Sequence, residues 1–233
     1  MSEDLDFERA WLRKLASGLE EVAGEEIRAA VMLGSEELSA EAPRDDVLRW
    51  TGRAMERLEA LVDEEGRQQI LTGCACQYPS GALQLVRVAY QESGDIEVAH
   101  QMLQRQFESL LRDSLNLEEA LIQEVVGRGW GSAGVRRGGT IIATKIPKSG
   151  NLVEYMKETD PDRKRQLYCH CPRVRDALRW AVEISPIYCY CGAGFYKGIW
   201  EGILQEPVRV ELLETVLQGD EGCRVAVHLP VAG

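Results

Sequence analysis

Seven cysteines carry the chemistry this chain could do, and their placement is not random. Six form three Cys-x-Cys pairs, Cys74/Cys76, Cys169/Cys171 and Cys189/Cys191, while Cys223 stands alone. Two pairs sit twenty residues apart, in Tyr168-Cys169-His170-Cys171-Pro172 and Tyr188-Cys189-Tyr190-Cys191-Gly192. A disulfide inside Cys-x-Cys would be strained, and an odd cysteine count does not suit a disulfide framework. Thiolate chemistry is the better explanation: a metal, a redox change or a thiol-linked ligand. Zinc needs about four thiolate or imidazole ligands. Cys169, Cys171, Cys189 and Cys191 supply four, with His170, Cys74, Cys76 and Cys223 in reserve. An iron–sulfur cluster would accept the same ligands and is the second choice of cofactor.

Spacing constrains how these ligands can work. Side chains at i and i+2 of an extended strand point the same way but stand far apart, so each pair must lie in a turn to chelate. Without metal, the same residues offer nucleophilic or redox thiols, or inert buried ones. Cys189 and Cys191 precede a helix whose free N–H groups would lower the thiol pKa of Cys191. An enzyme built this way would use Cys189 or Cys191 as nucleophile, or a metal to activate water. Glu201 heads the acid–base candidates, with Glu211 and Glu214 behind it, and no spacing selects among them.

The elements that must position these groups change character along the chain. Trp11, Leu15 and Leu19 recur at four-residue steps, and a helical pattern runs to about Leu38. After Pro43, Val47, Trp50, Met55, Leu58 and Leu61 mark a second helix fading near Leu71. Gly73 then stops it, which places Cys74 and Cys76 on a helix C-terminal loop. Two or three further helices fill residues 82 to 127, and His100 there reads as a satisfied side chain. Residues 127 to 139 are glycine-rich and hold Arg128, Arg136 and Arg137. Gly129, Gly131 and Gly134 match G-x-G-x-x-G, but the stretch follows a helix and precedes a strand, the reverse of a dinucleotide site. It reads as a mobile loop, or as a lid over an anionic ligand.

Beyond that loop the period becomes two. Thr140–Ile146 predicts a strand, Leu152–Met156 its return, and Gln166–Cys169 a short strand delivering the first thiol pair. Pro172 opens a helix to about Glu183. Gly194, Gly198 and Gly202 then stripe one face of a helix, and each interior glycine costs about 1 kcal/mol against alanine. A close neighbour along the whole stripe is the expectation. Pro207–Leu217 and Cys223–Leu229 read as a hairpin.

A net charge of −11 argues against a nucleic-acid partner. No run reaches the ~18 apolar residues of a membrane helix, and the acidic start lacks a signal peptide's basic and apolar regions. A cytoplasmic protein is expected, where closely spaced thiols stay reduced.

The last forty residues carry a resemblance. A glycine-flanked helix, Pro207-Val208-Arg209-Val210-Glu211, then Glu214 and Gly219-Asp220-Glu221-Gly222-Cys223-Arg224 before a final strand, resemble the close of 4-vinyl reductase domains. They also resemble the L-2-amino-thiazoline-4-carboxylic acid hydrolase-like family, and most closely a cysteine-rich bacterial group sharing the Cys-x-Cys and G-D-x-x-C features. The likeness covers roughly residues 140 to 230. It implies a small-molecule-binding α+β module behind a helical N-terminal region, with a metal site in the 4-vinyl reductase branch. Those domains often carry another cysteine on the first hairpin strand, where this chain reads Glu214-Thr215-Val216-Leu217. Cys223 alone keeps that pattern.

These readings predict an α+β protein: helices over 1–127, then a module over 128–233 whose antiparallel sheet of about four or five strands carries helices on one face. Homodimerisation would use the N-terminal helices. The function expected is a cysteine-rich, small-molecule-binding protein that depends on metal–thiolate bonding. It is either hydrolase-like, acting on a small substrate with C–N or C–S bonds, or a non-catalytic sensor of metal or ligand. The thiol pairs are expected to converge, and so many neighbouring thiolates would repel one another without a cation or protonation.

Overall fold

A computed structural model describes residues 2–38 and 42–230. Its first half is helical throughout. α1 (Ser2–Ala23) and α2 (Glu25–Met32) are separated at Gly24, whose φ of 89° only glycine adopts readily. α3 (Arg44–Leu61) follows Pro43, and α4 (Glu64–Gly73) begins where the Asp63 carboxylate accepts the Gly66 N–H at 2.9 Å. α5 (Ser80–Ser93), α6 (Ile96–Ser109) and α7 (Glu119–Gly127) complete the region. One π-turn, Leu110–Ser114, extends α6.

The second half is α+β, as the change of period implies. β1 (Val135–Arg137) and β2 (Thr140–Thr144) form one hairpin, β3 (Arg209–Glu214) and β4 (Arg224–His228) the other. They join in one antiparallel sheet of order β1-β2-β4-β3, with Ile141 opposite Val227 and Val210 opposite Val227 on its other side. Between the hairpins run α8 (Leu152–Lys157), α9 (Pro161–Tyr168), α10 (Pro172–Trp180) and α11 (Tyr190–Leu204), the last entered through a 3-10 turn, Pro186–Cys189.

Two stretches expected as strands are helices. Leu152–Met156 lies in α8, where Leu152 and Tyr155, three apart, are the buried residues; five residues were too few to separate the two periods. Gln166–Tyr168 ends α9, which the Asp160 carboxylate caps through the Arg163 N–H and Pro161 opens. α10 stops at Trp180, three residues short of expectation, because Ala181 turns to a φ of 54°. The glycine-rich stretch is more than a connector: it carries β1, and Arg136 is held by Glu97 at 3.1 Å.

α11 is the central helix. Ala193, Tyr196, Ile199, Trp200 and Ile203 pack against the inner sheet face, where Ile141, Ala143, Val210, Val225 and Val227 point, and against Leu83, Val86 and Leu103 of the N-terminal helices. A second core joins Trp11, Leu15, Trp50, Leu58 and Ile70 to Tyr155, Tyr168, Val174 and Tyr188. Each large apolar side chain so buried contributes roughly 1.5–3 kcal/mol. Both cores draw on residues either side of position 127.

The glycine stripe behaves differently along its length. A Cβ on Gly194 would overlap the Thr72 carbonyl oxygen, and one on Gly202 would meet Leu83 at 2.9 Å. A Cβ on Gly198 would meet nothing within 4 Å. The expected close neighbour along the full stripe is therefore corrected at Gly198. The helix crosses its partners at its two ends, and the middle turn faces open space.

Candidate functional site

The close approach at Gly194 builds the site. It seats the first turns of α11 on the end of α4, so the Cys74–Cys76 loop lies beside Cys191. The Cys191 thiol donates to the Cys74 carbonyl at 3.4 Å, and Lys14 Nζ donates to the Ala75 carbonyl at 2.6 Å, holding the loop. On the opposite side, Arg175 Nη1 donates to the carbonyls of Cys169 (2.9 Å) and His170 (2.7 Å), which shapes that pair into a turn. Tyr168 ties this turn to the sheet. Its hydroxyl accepts the Cys223 N–H at 2.8 Å and donates to the Lys145 carbonyl, and the Lys145 N–H donates to the Cys223 carbonyl at 3.1 Å.

These ties surround a cavity of about 250 Å³. Cys76, Cys169, Cys171, Cys189, Cys191 and Cys223 all lie on its wall, six of the seven cysteines. Cys76 is exposed and marks the mouth. Cys74 stays behind the wall, its thiol donating to the Ile70 carbonyl at 3.4 Å. Phe195, Tyr196, Leu212 and Val225 make the rest of the lining largely apolar, and Lys145 is the cation that reaches in.

Burial raises the pKa of the deepest thiols. It pushes Cys169 up to about 12, with the Cys171 and Cys223 sulfurs adding to the rise, and it raises Cys191 further. Cys74 also rises to about 12 by burial, opposed by the charges of Lys14 and Arg173. Cys189 is raised first because it donates a hydrogen bond to Cys223, then by burial. Cys223 is the exception. The Cys189 donor, helped by Lys145, lowers its pKa despite burial. Helix α11 does not lower the Cys191 pKa as expected: burial outweighs the partial charge at a helix start that the preceding 3-10 turn already occupies. His170 is held at about 4, by burial and then by the Lys145 charge, and its Nε2 lies 3.0 Å from the Ile146 carbonyl.

The two pairs Cys169/Cys171 and Cys189/Cys191 therefore meet, and Cys76 and Cys223 join them. The carboxylates do not. Glu201 pairs with Lys197 and accepts the Val208 N–H at 3.1 Å, so it fastens α11 to the start of β3 and takes no part in the cavity wall. Glu211 lies 3.3 Å from His228, and Glu214 2.6 Å from Arg224, on the far face of the sheet. Sequence reasoning missed Lys145. The signal was present: Ile141, Ala143 and Lys145 follow the inward alternation of β2, and a lysine in that phase needs a reason.

Among the described residues, no three His, Cys, Asp or Glu side chains stand close enough together to hold a metal ion. The sulfurs instead have separate partners, as with Cys171 and the Tyr188 hydroxyl at 3.3 Å. Comparison of the chain with protein-family models, curated proteins and solved structures finds no match.

Proposed function

We propose that the chain is a small-molecule-binding protein whose thiol cavity takes a soft metal ion together with a small, partly apolar anion. The convergence of six cysteines on one cavity carries this reading. The donor set suits zinc, and an iron–sulfur cluster is the alternative. Cys169, Cys171, Cys189 and Cys191, which stand too far apart in this structure to share an ion, would draw together to hold it, with Cys223 and Cys76 on the same wall. A bound cation supplies the positive charge that lets protonated thiols ionise. The cavity is larger than a bare ion needs. Lys145 suits an anionic group of the ligand, and Phe195, Leu212 and Val225 suit an apolar portion. No carboxylate joins the thiols, so binding or sensing is favoured over hydrolysis that depends on Glu201.

The test is competition for zinc against a chromophoric chelator. Cys169→Ala and Cys189→Ala should each weaken binding at least tenfold, while Cys74→Ala should leave it unchanged. Equal losses in all three variants, or in none, would contradict the assignment.

A second reading rests on Cys189 and Cys223 sharing the cavity wall with opposite pKa shifts, Cys189 raised and Cys223 lowered. These neighbouring thiols form a candidate redox pair, with Lys145 favouring the Cys223 thiolate. In metal-free protein, Cys223 should then be the first cysteine alkylated by iodoacetamide at pH 7, and modification of exposed Cys76 first would count against it.

A further inference from the structure

The opposite face of the sheet carries a second cavity, of about 370 Å³, with no thiol in its wall. Its floor is the outward phase of β2, Ile142 and Thr144. Trp130 and Tyr155 form an aromatic corner, ring centroids 6.0 Å apart and edge-on. Three guanidinium groups surround it, from Arg128, Arg137 and Arg224. The wall also holds two carboxylates, Glu214 and Glu221, so its basic groups exceed its acidic ones by one, in a chain with 38 acidic and 27 basic residues. Two of the three are fixed by carboxylates: Arg128 pairs with Glu124 at 2.6 Å and lies 5.1 Å over the Trp130 ring, and Arg224 pairs with Glu214 at 2.6 Å. Glu221, also on the wall, is 3.3 Å from Lys164. Arg137 has no carboxylate within ion-pair distance among the described residues, although it sits at the cavity edge.

We infer that this groove binds a planar aromatic carboxylate. The ring lies against half-buried Trp130, with Tyr155 buried behind it, and the carboxylate takes the two parallel N–H donors of Arg137. A guanidinium with no carboxylate partner at one end of a groove and an indole ring at the other suits this chemistry, since its fork matches a carboxylate and the ring matches an aromatic body. The volume lies near the lower end of the ~300–1,000 Å³ usual for ligand sites, which suits a molecule of one or two rings. The inference is independent of the thiol cavity, from which Tyr168 separates the groove as a common wall.

The experiment is titration calorimetry of the full chain with 2-naphthoate, and with neutral 2-naphthalenemethanol as control. Arg137→Gln, an exposed position, should weaken naphthoate binding about tenfold or more, the loss expected for a charge-assisted hydrogen bond. Lys145→Gln, which removes the cation of the thiol cavity, should leave it unchanged. Both variants should melt with the parent protein. The reverse pattern would place naphthoate in the thiol cavity and overturn the inference. So would equal binding of the neutral probe, which means apolar adhesion only, or the lack of saturable naphthoate binding.

Discussion

The two faces of the four-stranded sheet share a backbone and have opposite chemistry. Toward α11 the strands present Ile141, Ala143, Val225 and Val227, then Lys145 and Cys223 where the packing opens into the thiol cavity. On the other face the same strands present Ile142, Thr144 and Arg224 around a groove of charges and aromatic rings. A register irregularity between Leu212 and Glu214 sends Glu214, which alternation would turn inward, to Arg224 on that outer face. On the inner side burial raises the pKa of the Cys169 and Cys191 thiols, and on the outer side the charges meet in half-exposed ion pairs. Period-two alternation thus sends the same strands to a thiol-lined cavity on one side and to a groove with guanidinium groups on the other.

The sharpest way to break that comparison uses neighbours in β2. Ile141→Lys, at a fully buried position, should unfold the protein or cost several kcal/mol, because an unpaired charge would be buried. Ile142→Lys, one residue on, should cost less than about 1 kcal/mol. Chemical denaturation of both variants decides it, and similar losses would mean that the faces are not distinct.

Next in size is the seat of α11. Gly194→Val should destabilise by about 3 kcal/mol or more, since its side chain meets the backbone of Thr72, a rigid neighbour. Gly198→Ala, one turn later in open space, should stabilise by up to about 1 kcal/mol through helix propensity. Melting curves with both variants should move in opposite directions.

An acid-dependent effect belongs to the inner face alone. His170 is held at about 4 in the folded protein, against about 6.5 unfolded, so the unfolded chain takes up its proton first as pH falls. In metal-free protein this contribution to stability is full above about pH 6.5 and declines as pH drops toward 4, by at most about 3 kcal/mol. Denaturation at pH 7 and pH 5 should show the loss, and His170→Gln should shrink it. On the outer face, Arg224→Gln breaks a half-exposed ion pair and should cost under about 1 kcal/mol.

Much of the fold was legible because its signals were long. The α+β class, the strand at Thr140, the final hairpin and the helix stop that leaves Cys74 and Cys76 on a loop all follow from period and punctuation. Short stretches failed, since Leu152–Met156 could serve either period until the core selected Leu152 and Tyr155. Convergence of the pairs Cys169/Cys171 and Cys189/Cys191 was expected from the short helix and foldable loops between them, but Cys223 and Lys145 entered through β-sheet phase. Glu201 misled because a glutamate near cysteines in sequence faces Lys197 and Val208 in space, a partner set no spacing reveals. The Gly198 reading failed because spacing shows which residues share a face, not how far a crossing helix extends along it.

The central claim is that the thiol cavity holds a metal, and metal content with thiol count tests it most directly. Protein purified without chelator should carry close to one equivalent of metal and show fewer than seven thiols reactive toward a disulfide reagent. Removing the metal should raise the number that react, while Cys74, buried behind the wall, stays slow until the chain is unfolded. Sub-stoichiometric metal, with thiol reactivity that a chelator leaves unchanged, would contradict the account and leave the Cys189–Cys223 pair as the chemistry of this cavity.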